Sequence, residues 1–307
     1  MDELALLASA HDGVFTTRQA AAVGLGRDAL ISAVRGGVVR RLARGVYAVG
    51  DQPRRPEDRH AELCRGLRLQ YPDGVLAGRS AVVAHGLPTW NVPLATALLL
   101  RPVTSQVRRS GAVVRSRPDG PVVGTPLGPA TIPATSLVQV ALDHGTAAGV
   151  VSADAALHRD LVTPQQLEAE LTARAGHPRI QYGMAMARFA DGRAESPGES
   201  RLRLTLTTGG FTLDPQFVVR DPGGGFVGRA DLRIRGSRVL VEFDGAVKYS
   251  DGGPEALVAE KWREDRIRAL GWVVVRVCWL DLERPRELLV RIHRAVAQAA
   301  LLPTLAG

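Results

Sequence analysis

Val239-Leu240-Val241-Glu242-Phe243-Asp244 is the stretch on which the reading of the last third of the chain turns. Successive side chains of a strand point to opposite faces, so Glu242 and Asp244 share one face and Val241 and Phe243 the other. The run is apolar enough for a central strand, and charges in such a strand need a reason. A tight turn at Arg235-Gly236-Ser237 joins it to the preceding strand, Val227–Ile234, which sets Asp231 beside Glu242. Two reasons compete. Asp231 and Glu242 can pair with Arg229, Arg233 and Arg238 on the same two strands, or the three carboxylates Asp231, Glu242 and Asp244 can hold a divalent cation. Hard oxygen ligands suit Mg2+ or Mn2+, and the apolar setting favours the cation.

Outward from this strand the pattern reads helix, strand, strand, strand, helix, strand, helix over residues 195–300. Ser196-Pro197-Gly198-Glu199 is a capping box with proline at the first helical position, a local reason for Glu199. Glu199 also shares a helical face with Leu202 and Leu206, which points its carboxylate at the sheet. Phe217–Val219 and Val227–Ile234 flank a turn at Asp221–Gly225, and Trp272–Val277 is a buried strand. A long helix spans Glu255–Leu270, with Lys261, Glu264, Asp265 and Arg268 on one side and Ala259, Trp262, Ala269 and Leu270 opposite. Arg286–Ala299 packs through Leu288, Ile292, Ala295 and Ala299.

The segments Gly228-Arg229-Ala230-Asp231, Glu242 to Tyr249 and Lys261 to Asp265, ending at Leu270-Gly271-Trp272, resemble the very-short-patch repair endonuclease relatives of the PD-(D/E)xK nuclease fold. The resemblance covers about a third of the chain. It implies a restriction-endonuclease-like α/β/α domain in which Asp231 and Glu242 bind Mg2+ or Mn2+, Asp244 adds a carboxylate, and Glu199 matches the acidic residue of the first helix. The chain departs from the pattern twice. Asp244 stands where a lysine is usual, and Lys248 where the relatives carry histidine. Of 39 basic residues only Lys248 and Lys261 are lysine. Both lie in these motifs, and lysine, unlike arginine, is a compact charge that can position a water.

Residues 1–50 read as a winged helix-turn-helix: helices over Glu3–Ala10, Arg18–Val23 and Asp28–Arg35, an extended entry at Val14-Phe15, and a hairpin over Val38–Val49 turning near Ala43–Gly45. Thr16-Thr17 can cap the second helix, and Leu30, Ile31 and Val34 are available to the core. Thr17, Arg18, Arg27, Ser32 and Arg35 are the residues expected to face duplex DNA from the helices; Arg40, Arg41 and Arg44 are placed to meet phosphates from the wing. Gln52–Pro56 is a linker candidate. Residues 57–190 read as a mixed α/β middle region with six helical stretches and two strands, Ala95–Arg101 and Ala112–Arg117. Residues 1–50, with Gly78–Pro88 and Thr131–Leu142, resemble the abortive-infection type IV antitoxins, which implies DNA binding and a toxin or other protein partner.

The whole is therefore an α+β, α/β multidomain chain with expected domains at 1–50, 57–190 and 195–300. Its net charge of +8 is distributed: basic minus acidic residues give 9−7 over 1–60, 12−8 over 61–190 and 18−16 over 191–307. That suits a polyanionic partner. Cys64 and Cys278 lack the spacing of a zinc site or disulfide framework. No signal peptide and no membrane-length apolar run is read, so the cytoplasm is the expected compartment. The function expected is a DNA-binding protein with Mg2+-dependent endonuclease activity. The alternative is an antitoxin-like transcriptional regulator whose nuclease-like domain does not cut.

Overall fold

The computed structural model describes residues 2–245 and 254–302, with the side chains of 2–5 and 254–259 excepted. Residues 1–156 and 160–188 form one compact unit, and residues 157–159 and 189–307 a second.

The first unit begins with α1 (Asp2–Ser9), β1 (Val14–Thr16), α2 (Thr17–Ala22) and α3 (Arg27–Arg35), followed by the wing strands β2 (Val39–Ala43) and β3 (Val46–Val49). The three strands form an antiparallel sheet in the order β1-β3-β2. Thr16 starts α2 through a capping box: its Oγ1 accepts from Gln19 N at 3.3 Å, and Gln19 Oε1 accepts from Thr16 N at 2.9 Å. Ala8, Phe15, Ala20, Leu30 and Val39 make the small core, with Val34 at its edge. Ile31, expected in that core, is 39% exposed. It lies one residue past Leu30, about 100° around the helix.

The chain continues through α4 (Pro56–Gln70), β4 (Val75–Leu76), α5 (Gly78–Ala84), β5 (Ala97–Arg101), β6 (Val107–Arg109), β7 (Ala112–Ser116), β8 (Val122–Thr125) and β9 (Gly128–Thr131). Four helices close the region: α6 (Pro133–His144), α7 (Thr146–His158), α8 (Pro164–Ala173) and α9 (Ile180–Phe189). The strands form one sheet, β6-β7-β5-β4-β9-β8, parallel at β5/β7 and β4/β9. The sequence reading found two of its six strands. β4 has two residues, and Gly124, Gly128 and Pro129 break the usual strand signature in β8 and β9.

The wing is packed on α4. Ala43 and Val46 share a core with Leu63, Cys64 and Leu67, and a Cβ at Gly66 would lie 2.2 Å from Val46 Cγ1. Gly111, at φ +73°, also passes close to Ala43, where an added Cβ would meet Ala43 Cβ at 2.8 Å. Beneath this core His60 is fully buried. Its Nδ1 donates to Leu94 O at 2.7 Å and its Nε2 accepts from Ser80 Oγ at 2.9 Å. Ser80 Oγ in turn accepts from Leu98 N at 2.8 Å.

The second unit holds α10 (Pro197–Thr208), β10 (Leu213–Arg220), β11 (Phe226–Ile234), β12 (Val239–Phe243), α11 (Pro254–Ala269), β13 (Val273–Val277), α12 (Trp279–Leu282) and α13 (Pro285–Leu301). Its sheet runs β10-β11-β12-β13, antiparallel at the first two pairings and parallel at the third. Both faces are covered. Val239, Val241 and Phe243 pack with Leu202 and Leu206 of α10 and Leu288 and Ile292 of α13. Leu240 packs on the other face with Val219, Val227 and Ile267 of α11. Leu288, Ile292, Ala295 and Ala299 are buried as their spacing requires. The inward face of α11 differs from expectation: Ile267 is fully buried and Trp262 is 68% exposed. Arg263 and Ile267, one turn apart, are the residues that meet β11 at Gly228.

Candidate functional site

Two sets of residues carry the functional question. The first lies on the second unit's sheet. β11 and β12 pair Leu232 with Val241, the last pair of their ladder, and Asp231 and Glu242 are the next residue on each strand, near enough for their charges to act on one another. Asp231 Oδ2 accepts from the amide of Phe243 at 2.7 Å. The arginines proposed as partners on these strands are engaged elsewhere. Arg229 pairs with Glu195 at 2.9 Å, Arg233 with Asp214 at 3.6 Å, and Arg238 donates to Ala299 O at 3.1 Å.

Glu242 is held instead by arginines from two other elements. Arg263 Nη2 of α11 donates to its Oε1 at 3.0 Å, and Arg276 Nε of β13 lies 3.9 Å from its Oε2. The parallel pairing of β12 and β13 puts Arg276 directly alongside Glu242. Both arginines continue into a network: Arg263 and Arg276 share Glu260 Oε1 at 2.7 and 2.9 Å, and Arg276 reaches Glu264 Oε2 at 2.8 Å. Burial raises the Glu242 carboxyl above its ordinary range. The Arg263 charge opposes that rise, while Asp231 and Glu260 add to it. Arg263 is held above its own ordinary value, first by its hydrogen bond to Glu260. Sequence reasoning missed both arginines. A signal existed, because Arg276 interrupts the apolar strand Val273-Val274-Val275-Arg276-Val277 as conspicuously as Glu242 interrupts its own.

Glu199 is buried at the start of α10 and bound on both oxygens. Oε1 accepts from Ser196 Oγ at 2.8 Å; Oε2 accepts from Glu195 N at 2.9 Å and from Gln216 Nε2 at 3.0 Å. Half of the expected capping box is made, Glu199 N donating to Ser196 Oγ at 3.2 Å, while the carboxylate takes the amide of Glu195 in place of that of Ser196; the contact with Gln216 ties the helix to β10. Asp244 follows the end of β12, where its amide donates to Val277 O at 2.8 Å. Among the described residues no group of three or more His, Cys, Asp or Glu side chains is placed to hold a metal ion. The expected triad of Asp231, Glu242 and Asp244 is accordingly not assembled, and Glu242 already faces two guanidinium groups. Lys261 is exposed on α11. Lys248 lies outside the described residues.

The second set is the surface of the first fifty residues. Thr17 and Arg18 open α2, Arg27, Ser32 and Arg35 lie along α3, and Arg41 and Arg44 belong to the wing; all seven are exposed. Arg40 is the correction. Its Nη1 donates to Glu62 Oε2 at 2.9 Å and its Nε to Gly50 O at 2.9 Å, so its guanidinium fastens the wing to α4. The reason is strand alternation: Arg40 faces α4 and Arg41 faces away.

Residues 2–50 match the family described as "Transcriptional regulator, AbiEi antitoxin". This first segment is antitoxin-like. Two uncharacterized proteins, from two strains of Mycobacterium tuberculosis, are each 29% identical to the chain over 174 residues. The alignment takes in 56% of this chain and 63% of each relative, less than two thirds of their length. Among the described residues no helix is long and apolar enough to cross a membrane.

Proposed function

We propose that the protein is a DNA-binding transcriptional regulator of the antitoxin type. The observation that carries this is the joint one of family match and geometry. The matched segment folds as three short helices and a wing, and the exposed basic residues gather on α2, α3 and the wing. In such a fold α3 enters the major groove and reads base edges, while arginines beside it meet phosphates. Arg27, Ser32 and Arg35 belong to the groove-facing helix; Arg18, Arg41 and Arg44 to the phosphate contacts, with Thr17 capable of one more. A toxin is the protein partner that an antitoxin implies.

The test is duplex binding by fluorescence anisotropy across a salt series. Replacing Arg41 and Arg44 by alanine is expected to weaken binding and to flatten the salt dependence by about 0.9 per lost phosphate contact. A salt slope identical to that of the unaltered protein would remove the reading.

The rival reading is a divalent-metal-dependent nuclease, drawn from the adjacency of Asp231 and Glu242 and from Glu199 at the head of α10. Plasmid nicking in Mg2+ or Mn2+ separates the two. Cleavage that disappears in Asp231→Asn and Glu242→Gln would establish the nuclease. DNA binding without cleavage in either metal leaves the regulator.

A further inference from the structure

We propose that the carboxylate site of the second unit is neutralised by the chain's own arginines and takes no divalent cation. The inference does not rest on the DNA-binding reading.

Glu242 begins an alternating series that runs through Arg263, Glu260, Arg276 and Glu264 to Arg268, every neighbour joined by an ion pair. Three glutamates meet three arginines, so the series closes without net charge. A buried carboxylate must have its charge answered by something, a metal or an organic cation. Here the answer is a pair of guanidinium groups, one from the helix above and one from the strand alongside. A divalent cation on Glu242 would lie against both of them and would have to displace Arg263 from its hydrogen bond.

The placing of Arg263 is built into the backbone. α11 crosses β11 at Gly228, where an added Cβ would stand 3.3 Å from Arg263 Nη1 and 3.2 Å from Ile267 Cδ1. Any larger residue at 228 would push against the guanidinium. Ile267, fully buried one turn further on, fixes the rotation of the helix that aims Arg263 at Glu242. Arg276 is fixed independently, by its register with Glu242 in the parallel pair. Two unrelated elements therefore deliver positive charge to the same carboxylate. That is the arrangement of an internal ion-pair centre.

The experiment uses the full chain and Mn2+ as the probe, read by water-proton relaxation and by thermal melting. The unaltered protein is expected to show no saturable Mn2+ binding tighter than about 1 mM and no Mn2+-dependent rise in Tm. Arg263→Met removes one guanidinium and keeps the apolar stem. It is expected to melt several degrees lower in metal-free buffer and to gain Mn2+ affinity by roughly tenfold or more. Arg263→Lys keeps the charge and is expected to exclude Mn2+ as the unaltered protein does. Saturable Mn2+ binding by the unaltered protein that Glu242→Gln abolishes would overturn the proposal. So would an Arg263→Met variant that folds and binds Mn2+ no better than its parent.

Discussion

Each of the two units buries polar side chains, and each satisfies them differently. In the first unit His60, Ser80 and Cys64 sit in the core without charge: the imidazole gives one hydrogen bond to a carbonyl and receives one from a hydroxyl, and burial pushes the Cys64 thiol up to about 12. In the second unit Glu242, Arg263 and Arg276 are joined as ion pairs and answer each other. A neutral network needs every donor matched to an acceptor and is indifferent to ions. A charged one needs its signs balanced and fails when a single partner is neutralised. The comparison shows that Arg263 and Arg276 of the last third are spent on the protein's own glutamates. Arg18, Arg27, Arg35, Arg41 and Arg44 of the first fifty residues are exposed and open to a polyanion.

The largest expected effect tests the neutral network. Burial, aided by the Arg79 charge and opposed by the bond to Leu94, lowers His60 from 6.5 to about 4. The unfolded chain therefore takes up the proton first as pH falls. The contribution of neutral His60 is complete above pH 6.5, declines as pH falls through the window from 6.5 to 4, and does not change further below it. The difference amounts to up to about 3 kcal/mol. Urea denaturation at pH 7.5, 5.5 and 4.5 measures it. His60→Gln is expected to be weaker at pH 7.5 and to show a shallower decline, and an unchanged decline would place the acid sensitivity elsewhere.

The charged network gives the next effect. Glu242→Gln leaves two guanidiniums facing a neutral amide and is expected to cost about 2–3 kcal/mol in metal-free buffer. Asp231→Asn keeps an oxygen for the Phe243 amide and should cost less. Equal stability of Glu242→Gln and its parent would mean that the ion pairs contribute nothing and that the contrast between the units is only apparent. Slightly smaller is Ser80→Ala, expected to lose about 2 kcal/mol because the acceptor on His60 and the amide of Leu98 both lose their partner. The smallest effect separates neighbours on the wing. Arg40→Ala should lower stability by about 1 kcal/mol while leaving the salt slope of DNA binding untouched, and Arg41→Ala should do the reverse. Two variants that behave alike would show that strand alternation does not divide their roles.

Much of this was legible in the sequence where the deciding signals are local. The hydroxyl cap at Thr16 and the spacing of Leu288, Ile292, Ala295 and Ala299 act within one or two turns, and each element appears where they place it. The adjacency of Asp231 and Glu242 was legible too, because a short hairpin fixes its own register. The partners of Glu242 were not. Arg263 is 21 residues away and Arg276 lies 34 away (276 − 242), and both arrive through a helical crossover and a parallel pairing that no local pattern encodes. The same limit explains Trp262, placed opposite the charged face of the helix by its position with Ala259, Ala269 and Leu270, although the rotation of α11 is set by Ile267 and by the gap at Gly228.

The mounting of the wing bears on how such a chain can be recombined. Gly66 and Gly111 are hollows cut to fit Val46 and Ala43, and Glu62 is cut to fit Arg40. The first fifty residues are thus not a cartridge that can be exchanged at the Gln52–Pro56 junction. A graft of another winged helix would have to bring a small residue and a valine to the same two hollows, or be accompanied by new residues at 62, 66 and 111. Inheritance of the first fifty residues and of the region that carries them is coupled through these contacts, and through Ser110 and Gln70, which bond the backbone of Arg44.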